Sequence, residues 1–244
     1  MATYLTIVNS ILTKLREPTV STVAANALSL LVGSFLNDAK REIEDAWQWT
    51  HLQDQFTAAF TVVNSGTVRW NTVTLAGTGL APNERATIWQ NLNTDDFLVR
   101  LNDPGVVNLL RKSQLGNREL YVAIQTYANQ GFKARPYNYY ITSNSAGILA
   151  GVSPKVITCF PNPDLTYNFS VVVKNPQNDL TADTDNMLIP TAPVQMRAYL
   201  YCLYERGEEL GEALTLTSAK ADEALTDAIA FDTLAQGELQ LQSE

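Results

Sequence analysis

The sequence has few of the residues on which most active sites depend. Its 244 residues include one histidine, His51, and two cysteines, Cys159 and Cys202. These three cannot form a closed four-ligand zinc site without a carboxylate, and their spacing matches no zinc finger or CxxC motif. Two cysteines are also too few for a disulfide framework, so we expect both to be buried, reduced thiols.

Charged residues are scarce, at 17% of the chain, and the 25 acidic residues outnumber the 17 basic ones. The net charge of −8 disfavours tight binding to duplex DNA, because such binding depends on Lys and Arg neutralising phosphates. The same negative charge is compatible with DNA that slides past the protein surface, because like charges repel. No apolar run approaches the length of a membrane span, and the N-terminus lacks the features of a secretion signal. We therefore expect no contact with a membrane.

Recognised catalytic and phosphate-binding patterns are missing too. The GTGLAPNE stretch does not complete a GxGxxG fingerprint, and GxxxxGK[ST] does not occur. His51 has no orienting carboxylate or nucleophile at a spacing that a sequence rule recognises. We interpret it as a residue at a helix end, near the negative pole of the helix dipole. The sequence thus predicts no catalytic, cofactor-binding or metal-binding residue.

Three aspartates, Asp179, Asp183 and Asp185, form the densest carboxylate group outside the predicted helices. A calcium loop would require oxygen ligands at alternating positions and a glycine at the turn, and DLTADTDN has only one alternating pair and no glycine. We expect a solvated loop that caps the following helix.

A second acidic group falls on a predicted helix near the C-terminus. Its charged face, opposite the apolar stripe, comprises Glu205, Glu208, Glu209 and Glu212 together with Arg206. Because such a face is suited to charged groups on another copy, we predict a subunit interface at Arg206, Glu205, Glu208 and Glu209.

The hydrophobic pattern changes period twice along the chain. Apolar residues at helical spacing predict helices over 3–16 and 22–49, and a third helix that begins at Pro193. A last helix is predicted to be capped by Ser218, and its inward-facing residues are predicted to be Ala221, Leu225, Ala228, Ile229 and Phe231. Between them, short runs rich in Val, Ile, Thr and aromatics predict strands over 55–63, 67–75, 86–90, 96–101, 119–127, 137–142, 155–160 and 166–174. Residues 106–115 are predicted as a short helix.

This order predicts an α+β fold in which terminal helices form a bundle and an antiparallel β-sandwich or barrel-like region is inserted between them. The predicted domains are 1–54 with 190–231 for the helices and 55–189 for the β region. Residues 232–244 form a C-terminal tail, whose leucines are too sparse for a core of their own but sufficient to order on a partner.

Three stretches resemble the head-to-tail connector adaptors of short-tailed phages, the family similar to tail tubular protein A. They are IVNSILTKLREPTVSTV with the helix ending KREIEDAWQWTH, then FPNPDLTYNFSVVV followed by NDLTADTDNMLIP, and finally PVQMRAYLYCLYERGEELG. Together they cover about half of the chain, at both ends, and none is a catalytic signature.

The resemblance implies a structural protein of the virion neck, assembled in the host cytoplasm. Such a protein forms a ring, usually dodecameric, beneath the portal protein and above the tail nozzle protein, and DNA passes through its channel without specific binding. The resemblance also implies that the end of the chain docks on the portal, through Phe231, Leu234, Leu239 and Leu241.

Two other functions are compatible with the sequence. One is a different neck or tail completion protein. The other is a carbohydrate-binding module of a tail structure, or a hydrolase, built on the aromatic residues Trp70, Trp89, Tyr137, Tyr139 and Tyr140 of the β region. The same aromatics are, however, ordinary constituents of sheet cores.

Overall fold

The computed structural model describes residues 2–60, 71–74, 87–88, 99–103, 106–109, 111–112, 134–143, 155–160, 163–207 and 212–241. The chain divides into two compact units, Met1–Leu52 with Pro176–Glu244, and Gln53–Asn175. Helices occupy the first unit and strands the second, so the fold is of the mixed α+β class. Within the described residues, no helix combines the length and the apolar character needed to cross a membrane.

The first helix, α1, spans Tyr4–Lys14 and is capped at both ends. The Thr3 hydroxyl accepts the N–H of Thr6 at 3.3 Å. At the other end Arg16 adopts a left-handed backbone with φ of 60°, and Glu17 N–H donates to the carbonyl of Leu12 at 2.9 Å. This is the Schellman arrangement, which ends the helix before Pro18 is reached.

Helix α2 spans Ala27–Ala46 and begins with a capping box. The Asn26 side chain accepts the N–H of Ser29 at 2.8 Å, and the Ser29 hydroxyl accepts the N–H of Asn26 at 3.2 Å. Two donors that the helix itself leaves without partners are thereby satisfied. A short 3₁₀ turn, Thr50–Leu52, then leads into the strand unit.

The last two helices are α3, Thr191–Glu205, and α4, Glu212–Leu241. Gly207, with φ of 69°, ends α3 in the left-handed conformation that glycine adopts without steric cost. The prediction of Glu212 on the same helix as Glu205 is therefore wrong, because Glu212 begins α4. Ser218 lies inside α4 and does not cap it, which corrects a second prediction.

The core of the helical unit is built from the inward stripes of α1, α2 and α3 and from the segment before α3. Its buried side chains include Ile7, Val8, Ile11, Leu12, Val32, Leu36, Ile43, Trp49, Leu180, Met187, Ile189, Val194 and Ala198. Leu180, Met187 and Ile189 belong to residues 176–189, a segment that was predicted to be part of the β region. These residues belong to the helical unit because they supply part of its core.

Polar side chains of α2 hold this segment in place. The Asn37 side chain donates to the carbonyl of Leu180 at 3.1 Å and accepts its N–H at 2.9 Å. Lys40 donates to the carbonyl of Gln177 at 2.7 Å, and Glu44 accepts the N–H of Gln177 at 3.1 Å. Lys40 and Glu44, 3.2 Å apart, are fully buried as an ion pair. These side chains satisfy backbone groups of a segment that pairs with none of the described strands there.

In the second unit, the strands are β1 Gln53–Phe60, β2 Asn71–Thr74, β3 Thr87–Ile88, β4 Val99–Asp103, β5 Val106–Leu109, β6 Arg111–Lys112, β7 Asn138–Ser143, β8 Lys155–Phe160 and β9 Tyr167–Lys174. One sheet has the order β1-β9-β4-β5, with β3 also paired to β9, and the other has the order β2-β8-β7-β6. Strand β9 is central, because its Val171 pairs with Phe56 of β1 on one side and with Val99 of β4 on the other.

Two details of the strand unit differ from the predictions. Residues 106–109 and 111–112 are strands, where a short helix was predicted. Strand β6 pairs with β7 in parallel, so the described strands are not all antiparallel. A parallel pair requires a long connection, which residues 113–137 provide. The predicted strand 119–127 lies outside the described residues.

Candidate partner-binding surface on helix α4

One face of α4 packs on the core of the helical unit, and in the C-terminal half of the helix two large apolar side chains lie on the outside. Ala221 is buried, and Leu225, Ala228 and Ile229 pack against the core. Phe231 and Leu234 are 75% and 69% exposed. The expectation that Phe231 faces inward is therefore wrong. At a separation of three residues, Phe231 and Leu234 lie on the same side of the helix.

Asp232, next to Phe231, points the other way and is buried. Its carboxylate accepts the indole N–H of Trp47 at 3.0 Å and the hydroxyl of Thr50 at 2.5 Å. It also accepts the backbone N–H of Thr50, at 3.2 Å. We call this set of hydrogen bonds the Asp232 anchor. It fixes α4 to the turn after α2 and so determines which way Phe231 faces.

The Asp232 anchor corrects the predicted tail of residues 232–244. Asp232 is part of the packed helical unit, and the α4 helix continues through Leu241 without a break at residue 232. The helical period contained a signal for this: residues 221, 225, 228 and 232 recur at three- and four-residue spacing, which places Asp232 on the inward face. The side chains of Leu239 and Leu241 lie outside the described residues.

A groove of about 430 Å³ adjoins Phe231. Its apolar lining comes from the start of α3 and from α4, namely Pro190, Ala192, Pro193, Ala224, Ala228 and Phe231. Its polar lining consists of His51, Asp227 and Asp232. We call it the α3–α4 groove. The carboxylate of Asp232 is already occupied by the anchor, so His51 and Asp227 provide the polar side chains of the lining that remain for an occupant.

His51 lies in the 3₁₀ turn Thr50–Leu52, after α2 has ended at Ala46, and its side chain is exposed. Its Nδ1 is 3.5 Å from the hydroxyl of Thr50. Among the described residues, no group of three or more His, Cys, Asp or Glu side chains is placed to hold a metal ion.

The three aspartates of the loop before α3 have separate partners and do not converge. Asp179 pairs with Arg41 of α2, Asp183 accepts the N–H of Val23 at 2.9 Å, and Asp185 accepts the N–H groups of Thr181 and Ala182, each at 2.8 Å. Those two hydrogen bonds lower the pKa of the Asp185 carboxyl.

This loop caps α1. The prediction that it caps the following helix, α3, is wrong. The carbonyl of Asp185 accepts the N–H of Tyr4 at 2.8 Å, and that of Asp183 accepts the N–H of Leu5 at 3.2 Å. At α3, the N-cap residue is Pro190, and no side chain caps it.

Of the four predicted subunit-interface residues, the structure describes Glu205, the last residue of α3, and Arg206, which follows it. Arg206 donates to Glu17 at 2.6 Å and to the carbonyl of Leu15 at 3.3 Å, so its guanidinium is bound to the end of α1 in the same chain. Glu205 is exposed. Glu208 and Glu209 lie outside the described residues. A subunit interface at these four positions stays a prediction.

Both cysteines are buried and free, which confirms that prediction. Burial raises the pKa of Cys159 to about 12 and that of Cys202 to about 11. Because the thiolate is the reactive form, both thiols are poor nucleophiles near neutral pH.

Comparison with models of known protein families found no match, and comparison with curated proteins found no significantly similar sequence.

Proposed function

We propose that the protein is a head-to-tail adaptor of a virion: a ring, dodecameric by resemblance, that binds beneath the portal protein, extends the DNA channel and joins the capsid to the tail nozzle protein. The observation that carries the proposal is the exposed pair Phe231 and Leu234, presented on a helix that is itself anchored through Asp232. Large apolar side chains held outward on a rigid element are typical of a surface that another protein covers.

The division of the chain supports the same function. Both ends of the sequence form one helical unit, and residues 53–175 are inserted between them. In an adaptor, the helical unit would pack in the ring and dock on the portal. The inserted unit, which we propose is a sandwich or barrel-like domain, would by resemblance face the tail side or the periphery. The net charge of −8 per copy would give the ring a negative channel along which DNA moves freely.

Native mass spectrometry of the protein, alone and mixed with the portal ring of the same particle, tests this function. We expect a complex of several copies with the portal ring. Leu234→Lys should abolish that complex, because it places a charge in the centre of the proposed contact. Leu216→Lys is the matched control, since Leu216 is 56% exposed on the same helix, far along it from Leu234. Equal portal binding by both variants would contradict the proposal.

A further inference from the structure

We propose that the α3–α4 groove binds a segment of a partner protein that presents an apolar side chain next to a lysine or arginine. The groove belongs entirely to the helical unit, and it would bind such a segment whether or not the chain forms a ring. The inference rests on the chemistry of its lining and on the charge of α4.

The lining selects an apolar side chain. Pro190 and Pro193 have no backbone N–H to donate, and Ala224 and Ala228 contribute methyl groups only. An occupant that placed a polar group against this wall would lose its bonds to water without replacement. An aliphatic or aromatic side chain loses nothing and is removed from water.

Phe231 favours a protein segment over a small molecule. It lines the groove and yet is 75% exposed, so one wall of the groove continues onto the open surface beside Leu234. Small-molecule sites usually enclose most of their ligand. A peptide segment can fill the groove with one side chain and cover Phe231 with the residues that follow. A compact ligand fills the groove but leaves Phe231 exposed.

The charge of α4 selects a basic neighbour. Seven residues of this helix are charged; six are acidic and one, Lys220, is basic. At the groove itself, the Asp227 carboxylate is exposed, and no described residue forms an ion pair with it. Asp232 does not compete for a cation, because its carboxylate is buried and accepts hydrogen bonds from Trp47 and Thr50. A lysine or arginine beside the apolar side chain would meet Asp227.

Binding of synthetic peptides to the full chain tests the proposal. The probes form three series in which Leu, Phe or Pro stands next to Lys, next to Gln or next to Glu, each with a fluorescent label, and affinity is measured by fluorescence anisotropy. We expect the lysine series to bind most tightly and to weaken as salt is added. Asp227→Lys should weaken its binding about tenfold, whereas Glu205→Lys, the same charge change at the end of α3 that lies away from the groove lining, should change it less than about twofold.

Several results would overturn the proposal. Equal affinity for the three series would remove the role of Asp227, and so would equal weakening by Asp227→Lys and Glu205→Lys. Self-association of the chain that Asp227→Lys abolishes would make a second copy the occupant. Uptake of a small apolar dye without binding of any peptide would make the groove a small-molecule site. Since residues 205 and 227 are exposed, both variants should keep the far-ultraviolet circular dichroism spectrum of the parent.

Discussion

Trp47 donates its indole N–H to the carboxylate of Asp232 at 3.0 Å, across 185 positions of the chain. This bond connects the residue that follows α2 with the C-terminal half of α4. Thr50 adds two more donors to the same carboxylate, its hydroxyl and its backbone N–H. The exposed pair Phe231 and Leu234 therefore stands on a helix whose rotation is fixed from the opposite side.

The Asp232 anchor predicts a loss of stability when the carboxylate is removed. Asp232→Ala should lower the free energy of unfolding by about 1–3 kcal/mol, because donors at a buried position lose their acceptor. Urea unfolding followed by tryptophan fluorescence measures this change. Thr233→Ala, at the adjacent exposed position, should stay within about 0.5 kcal/mol of the parent. Equal stability of the two variants would show that the anchor does not hold α4.

The same anchor changes how the end of the chain should be truncated. Deletion from residue 232 would remove Asp232 together with the outer part of α4, so lost portal binding would be confounded with lost folding. Point substitutions at Leu234, which is 69% exposed, leave the anchor intact. They separate binding from stability.

The helical unit shows what sequence periodicity can and cannot predict. The stripe of α1 and the pairing of both chain ends in one α-helical unit follow from apolar spacing, which depends on local pattern and burial. The buried state of Lys40 and Glu44 does not follow from it. Their spacing of four residues is equally typical of a solvated helix face, and only the extended segment at Gln177, far away in the sequence, makes the position a buried one.

At the candidate surface, Phe231 and Leu234 are exposed, although the helical pattern predicted that Phe231 faces inward. Docking of these residues on a partner stays a prediction. The α3–α4 groove could not be predicted, because it joins residues of the turn after α2, the start of α3 and the middle of α4. Local patterns do not determine how such distant segments meet.

The buried ion pair predicts a large effect of single substitutions. Lys40→Met should lower the free energy of unfolding by about 3–5 kcal/mol, since it leaves the Glu44 carboxylate buried without its cation. The double variant Lys40→Met with Glu44→Leu should recover part of that loss, because no buried charge remains. Lys220→Met, at an exposed position of α4, is the control and should have little effect. Chemical denaturation of the four proteins measures the differences, and a double variant less stable than the single one would contradict the account.

Two helix ends predict opposite effects of glycine. Arg16 and Gly207 both adopt left-handed backbones after a helix, with φ of 60° and 69°. Because a side chain at such a position costs about 1 kcal/mol, Arg16→Gly should stabilise the protein and Gly207→Ala should destabilise it by about that amount. Thermal unfolding measures both. Shifts in the same direction would contradict the assigned conformations.

The loop that caps α1 predicts a response to acid. The pKa of Asp185 is lowered by hydrogen bonds from Thr181 and Ala182, so its ionised form is favoured in the folded state. The stabilisation is complete above the unfolded value, about 3.9, and is lost as the pH falls through the lower folded value. A pH titration of the Asp185 carboxyl carbon by NMR should give a midpoint below about 3.9. Thr181→Pro, which removes one donor, should raise that midpoint.

The adaptor proposal is tested most directly by electron microscopy of the purified protein mixed with the portal ring of its own particle. The account predicts a closed ring of this chain beneath the portal, with the Phe231 and Leu234 face of α4 covered by a neighbouring protein. A portal ring that carries no copies of the chain, or copies that leave this face open to solvent, would contradict it.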